Sequence, residues 1–152
     1  MLVNLPYKIL IEKSVEGKLL GFLESFGSKS IAVICDDNVL RMAGGKIQDI
    51  SNARTVKAES MEKAYLESLA KRIDADLIIG MGGGRSIDVA KYIAHLSGKQ
   101  WIAFPTILSH DGVVSSRASL ENNGMKISVE AKEPIAIIAD LDIIKSAPYR
   151  WI

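Results

Sequence analysis

Residues 80–91 read GMGGGRSIDVAK and directly follow the apolar run Leu77-Ile78-Ile79. Four of the first five positions lack a Cβ, so the backbone there can reach positive φ and come close to a ligand. If a strand ends here and a helix begins, the first turn of that helix presents unpaired N–H groups to the same place. Such a turn can hold a phosphate. It can equally be a tight strand-to-helix connection that holds nothing, and the glycines alone do not choose between the two.

Other polar residues stand where buried runs stop. Asp36 and Asp37 follow residues 31–35, Thr106 to Asp111 follow the run Trp101-Ile102-Ala103-Phe104 and Pro105, and Asp140 closes residues 134–139. An acid at one strand end can accept hydrogen bonds from both hydroxyls of a ribose while a glycine turn on another holds a pyrophosphate, and that combination is a dinucleotide site. The order departs from the common fingerprint, in which the glycines precede the acid by about 20 residues. Here Asp36 comes first, and Arg85 stands where a third glycine would be counted from Gly80. Asp36-Asp37 has two rival readings: a magnesium-holding pair in a phosphoacceptor receiver domain, or solvated loop acids. A receiver also needs an aspartate at the end of a later strand, where residues 77–79 run into glycine. His110-Asp111 is either a base with its orienting acid or a solvated loop pair. His95 reads as an ordinary helix residue. No trio of His, Asp or Glu has metal spacing, and no Gly-x-Ser-x-Gly elbow occurs.

These groups need elements to position them. Residues 7–11 suit a short edge strand, and residues 14–26 place Val15, Leu19, Leu20, Leu23 and Phe26 on one helical face before Gly27 stops it. Residues 30–35 form a continuous apolar run, the pattern of a strand covered on both faces, which makes Cys35 a packed residue rather than a nucleophile. A helix over 39–43 is expected to close at Gly44-Gly45, and residues 53–56 suit a further strand. Residues 60–73 predict a helix capped by Ser60, with Glu62 and Glu67 on its exposed side and Ala64, Leu66, Leu69, Ala70 and Ile73 packed. Residues 76–79 feed the glycine turn, and a helix over 86–96 ends at Gly98. Asp88 is expected in its first turn with Lys91 at i+3. Residues 101–104 give a strand stopped by Pro105. Asn122-Asn123-Gly124 signals a hairpin that hangs off the sheet, with residues 126–129 returning. Residues 134–139 make one more buried strand, and 141–146 begin a helix. Strands and helices alternating over short connections predict an open, mostly parallel, Rossmann-like α/β sheet with a β-hairpin excursion.

The bulk numbers agree with one folded unit. A 152-residue chain with 48% hydrophobic and 24% charged residues buries about 70% of its extended surface as a single domain. A net charge of +1 gives no reason to expect nucleic acid as a partner. Cys35 is the sole cysteine, so neither an intrachain disulfide nor a thiolate zinc cluster is expected. The first residues lack the pattern of a signal peptide, and no apolar run reaches the ~18 residues of a membrane helix. The chain therefore reads as cytoplasmic, without membrane insertion.

Taken together and in this order, residues 80–91 (GMGGGRSIDVAK), 105–112 (PTILSHDG), 115–119 (SSRAS) and 134–150 (PIAIIADLDIIKSAPYR) resemble the superfamily of iron-dependent alcohol dehydrogenases, glycerol dehydrogenases and dehydroquinate synthases. The likeness is greatest to its sn-glycerol-1-phosphate dehydrogenase branch. The resemblance implies a dehydroquinate synthase-like N-terminal domain and hydride transfer between NAD or NADP and dihydroxyacetone phosphate, giving glycerol 1-phosphate. By position it implies that Asp36 meets the adenosine ribose and that Gly82, Gly83 and Gly84 cradle the pyrophosphate, with Ser86 and Asp88 in the same cofactor-binding motif. Thr106 and Ser109 would line the nicotinamide side. Asp111 falls near substrate and metal, and Ser115 and Arg117 fall near nicotinamide or substrate. Arg85 replaces a frequent lysine, which keeps a positive charge near phosphate but makes it a planar fork. The family continues into a helical domain that gives an aspartate and two histidines to zinc or a similar metal. The resemblance thus implies that residues 1–152 are the NAD(P)-binding domain, that the metal-binding domain and its ligands are absent, and that the chain is inactive alone. A homo-oligomer stays open, as does a glycerol dehydrogenase-type enzyme domain or a standalone nucleotide-binding module.

Overall fold

The computed structural model describes residues 7–50, 52–108 and 111–147. Strand β1 (Lys8–Glu12) leads to helix α1 (Leu19–Glu24), β2 (Ile31–Cys35), α2 (Asp37–Gln48) and β3 (Ala53–Lys57). Then come α3 (Lys63–Arg72), β4 (Leu77–Gly82), α4 (Gly84–Ser97) and β5 (Gln100–Pro105). A 3-10 turn (Asp111–Val113) precedes β6 (Arg117–Asn122) and β7 (Met125–Glu130), and β8 (Ala136–Asp140) and α5 (Leu141–Lys145) follow.

Six strands form one sheet in the order β1-β8-β5-β4-β2-β3, and every pairing in it is parallel. A parallel sheet is stable when helices cover both faces, so its central strands carry apolar residues at consecutive positions. All of β2 and β4 is buried, whereas at the edges β1 alternates and β3 is mostly exposed. On one face Leu19 and Leu23 of α1, Val39, Ala43 and Ile47 of α2 and Ile143 of α5 meet Val33, Ile79 and Ile102. On the other, Leu66 and Leu69 of α3 and Ile87, Ala90 and Ile93 of α4 meet Ile34, Ile78 and Trp101, joined by Ala118 and Leu120 of the hairpin. The hairpin β6–β7 is an antiparallel pair of its own. Its two-residue turn has Asn123 at φ 52° and Gly124 at φ 78°, the left-handed pair that an Asn-Gly turn supplies.

Several boundaries differ from the sequence expectation, each for a local reason. Helix α2 runs through Gly44 and Gly45 instead of closing there. Asp36 caps its start and Val39, Ala43 and Ile47 bury one stripe, which outweighs the helix penalty of roughly 1 kcal/mol per glycine. Helix α1 begins at Leu19, not residue 14, because Val15 is pinned ahead of it: its N–H donates to Asp140 Oδ2 at 3.1 Å, and its carbonyl accepts from Lys18 and Leu19. Ser60 does not cap α3. Its Oγ accepts from the Glu62 N–H at 3.1 Å, a turn that delays the helix to Lys63, and Ala64 is exposed rather than packed. Strand β4 continues through Gly80 and Met81 to Gly82, since its register with β5 holds to Gly82↔Pro105. Asp88 is the fifth residue of α4, beyond the first turn in which it was expected. No helix among the described residues is long and apolar enough to cross a membrane.

Candidate functional site

From β2 the chain goes outward through α2 to β3, then returns through α3 to β4 on the other side of β2. The carboxyl ends of β2 and β4 therefore flank a topological switch point, where connections leave in opposite directions and a crevice opens. Asp36 stands on one lip and residues 82–86 on the other.

Asp36 has extended backbone (φ −103°, ψ 175°), and its Oδ1 accepts from Val39 N–H at 2.9 Å. It is half-buried, and among the described residues its second oxygen takes no hydrogen bond. Asp37 is exposed and pairs with Lys57 across 2.7 Å. The hydrogen bond from Lys57 holds the Asp37 carboxyl below its usual range, and the same bond raises the Lys57 amine. Cys35, just inside the sheet, has its thiol pushed up to about 11 by burial and then by the charges of Asp36 and Asp37. It is packed and unreactive, as its apolar run predicts.

On the opposite lip Gly82 has φ +148°, and a Cβ built on it would lie 2.8 Å from Ser86 Oγ. Gly83 takes the N-cap place of α4 without a side chain, so the first turn is closed by no side-chain bond. The Ile87 N–H finds Gly83 O at 3.1 Å, which leaves the N–H groups of Gly84, Arg85 and Ser86 as the open donors of the helix start. Ser86 is buried and its Oγ has no hydrogen-bond partner among the described residues. An orphaned buried hydroxyl beside open N–H groups and a side-chain-free strand end suits a phosphate oxygen. Arg85 is exposed on this turn and donates through Nε to Ala58 O at 3.2 Å. Thr106 is buried at the end of β5 and donates its N–H to Gly82 O at 3.0 Å, so β5 supports the cradle.

The remaining predicted residues divide. Ser109 and His110 lie outside the described residues, and Asp111 opens the 3-10 turn. Ser115 Oγ accepts from Arg117 N–H at 3.0 Å, and the Arg117 guanidinium reaches Ser128 Oγ and O at 2.8 Å each. Asp88 is buried, and its Oδ2 accepts from Ser119 N–H at 3.2 Å. Asp88 and Arg117 thus hold the hairpin, and an open groove of about 380 Å³ runs between that hairpin and the start of α4. Asp140, the fourth polar strand end, is fully buried beneath α5. It accepts from the N–H groups of Val15, Asp142 and Ile143 and from Lys46 Nζ at 3.0 Å.

Two residues hold the hairpin in a way the sequence expectation, Lys91 as an i+3 partner of Asp88 and Glu62 as an exposed helix acid, did not assign to them. Lys91 is completely buried under the hairpin, and a charged residue between apolar Ala90 and Ile93 was the available signal. Glu62 holds the hairpin tip through Asn123 and Gly124 N–H groups at 3.1 and 2.9 Å. Among the described residues no group of three or more His, Cys, Asp or Glu is arranged to hold a metal.

A family model for iron-containing alcohol dehydrogenases matches residues 10–148. The chain belongs to this family. Within it, a glycerol-1-phosphate dehydrogenase [NAD(P)+] of Hyperthermus butylicus is 39% identical over 99% of the chain and 46% of the relative. The protein of the same name from Thermococcus kodakarensis is 35% identical, with the same coverage. Family membership is also visible in three dimensions. The crystal structure of glycerol dehydrogenase from Schizosaccharomyces pombe superposes with a TM-score of 0.84 at 28% identity, over 99% of this chain and 41% of that one. The chain spans less than half the length of these family members. The iron-containing alcohol dehydrogenase match also removes the receiver-domain alternative for Asp36-Asp37, whose carboxylates are engaged by a helix cap and by Lys57.

Proposed function

We propose that this chain binds NAD or NADP across the crevice between β2 and β4, as the cofactor-binding part of a glycerol-1-phosphate dehydrogenase. The observation that carries the reading is the orphaned, buried Ser86 hydroxyl at the open start of α4, the element that borders the crevice at the switch point. Asp36 would receive the ribose hydroxyls. Gly82, Gly83, Gly84 and Ser86 would hold the pyrophosphate, with the Arg85 charge beside it. Thr106, Ser109, Ser115 and Arg117 would line the nicotinamide end, and Asp111 would stand near the substrate. The chemistry supplied by a bound nicotinamide is exchange of a hydride with a carbonyl or carbinol carbon. The residues of this chain bind, orient and exclude water. Polarising a ketone carbonyl calls for a Lewis acid such as zinc, whose ligands the resemblance assigns outside these 152 residues.

The names of the Hyperthermus and Thermococcus relatives favour dihydroxyacetone phosphate and glycerol 1-phosphate as the substrate pair. The Schizosaccharomyces structure supports glycerol as a second reading. A cytoplasmic setting and homo-oligomeric assembly go with either.

Calorimetric titration tests the reading. NADH should bind saturably and at least as well as NADPH, because the Asp36 carboxylate repels a 2′-phosphate. Asp36→Ser keeps a cap oxygen for α2 but removes the charge, so NADH affinity should fall by roughly tenfold or more while the preference moves toward NADPH. No binding of either dinucleotide, or a clear NADPH preference in the parent protein, would overturn the assignment. Zinc-dependent oxidation of glycerol 1-phosphate by the 152-residue chain would overturn the half-enzyme part alone.

A further inference from the structure

Lys91 is 0% exposed. Its Nζ donates to the carbonyl of Gly112 and, at 2.9 Å, to that of Arg117. It lies 3.6 Å from Asp88 Oδ1 and 5.9 Å from the Trp101 ring centroid. One turn earlier on α4, Asp88 Oδ2 receives the Ser119 N–H. A buried amine is costly, and an apolar side chain of similar length would extend the Ile87, Ala90 and Ala94 surface without that cost. What the amine does, and a methionine cannot, is grip two backbone carbonyls on either side of Ser115.

Helix α4 is continuous over 14 residues, and its first turn is the cradle described above. The same helix therefore carries the phosphate cradle at its start and, in the following turns, a clamp on residues 112–119. The geometry points to Lys91 as a positioning residue, which with Asp88 fixes the Ser115–Arg117 wall of the cleft relative to the cradle. The inference rests on the dinucleotide reading, and it assigns Lys91 an effect on the nicotinamide end alone.

A merely structural lysine would weaken all ligands together, so the test compares NADH with ADP-ribose, which lacks the nicotinamide. In Lys91→Met, NADH affinity should drop by about tenfold or more while ADP-ribose affinity changes by less than about twofold. Equal losses in a cooperatively folding variant, or unchanged NADH binding, overturn the proposal. If Lys91→Met does not fold, Asp88→Asn replaces it, because it keeps an acceptor for Ser119 but removes the charge beside Lys91. Amide hydrogen exchange in Asp88→Asn should accelerate across residues 112–119 and stay unchanged in the first turn of α4. Uniform acceleration overturns the proposal. If the parent protein binds neither ligand, the dinucleotide reading fails, whereas the exchange comparison still decides whether the clamp holds that segment.

Discussion

The glycines of the 80–84 run look interchangeable in the sequence but do different work. A Cβ on Gly80 would lie 2.7 Å from Ala90 Cβ and 3.2 Å from Ser86 O, so this glycine lets β4 and α4 approach each other. Neither neighbour can yield cheaply, one being a short side chain and the other backbone. Gly80→Ala should destabilise the fold by about 2 kcal/mol, in the range of core overpacking, and chemical denaturation will measure it. Gly83 is half-buried, and among the described residues a Cβ there would meet only Ile107, whose Cδ1 at 3.0 Å is the far end of a flexible chain. Gly83→Val should therefore cost only about 1 kcal/mol, the scale of a lost N-cap preference. Its branched methyls crowd the mouth of the cradle, so NADH affinity should fall far more than stability. If both variants lose stability equally, the division between a packing glycine and a ligand glycine is wrong. The sequence showed that this run permits a close approach; which glycine faces the helix and which the crevice depends on the strand reaching Gly82.

At the scale of elements, what the sequence made legible were the strands buried on both faces and the Asn-Gly hairpin, whose signals are local. Less legible were the starts and ends decided by distant partners. Val15 waits outside α1 because Asp140, from the far end of the chain, holds its N–H. Asp140 looked like a cleft acid, since a carboxylate after a buried strand has the same pattern whether it faces ligand or helix. In the structure it ties β8, the turn ahead of α1, α2 and α5 together. Burial by itself would raise its pKa, but the N–H groups of Val15 and Ile143 and the charge of Lys46 more than offset this, so the carboxyl is held below its usual range. A depressed carboxyl gives stability that is present above the unfolded-state value, near about 3.9, and is lost as pH falls through the folded-state value. Asp140→Asn should thus cost on the order of 3 kcal/mol at neutral pH, as expected for one partner of a buried pair. The difference should shrink as pH falls below about 4, where protonation of the unfolded parent begins to offset the charge that the folded state keeps. Urea denaturation of both proteins at neutral pH and near pH 3 is the measurement, and a pH-independent gap would remove Asp140 from the acid response.

For the whole molecule, the parallel α/β class follows from strand and helix alternation, yet the sheet order does not. Strand β8 enters between β1 and β5, and β1 finds its partner across almost the full length of the chain, a pairing with no local signature. The order matters because it sets the switch point between β2 and β4 and so brings Asp36 to the crevice that the α4 cradle borders. A ligand there would bridge elements on opposite sides of the switch and bind only the folded chain. Its free energy must then add to global stability, by about 2.7 kcal/mol when NADH is present at a hundredfold excess over its dissociation constant. At roughly 2–4 °C per kcal/mol for a chain of this size, the thermal midpoint should rise by about 5–10 °C. Asp36→Ser, which keeps the α2 cap, should melt close to the parent without ligand and show about half of the rise or less at the same NADH concentration, as a loss of tenfold or more in affinity requires. Scanning both proteins with and without NADH separates the two halves of the claim. A parent whose midpoint ignores saturating NADH does not bind it across the switch point. A serine variant that still gains the full rise would show that Asp36 serves the helix cap and not the ribose.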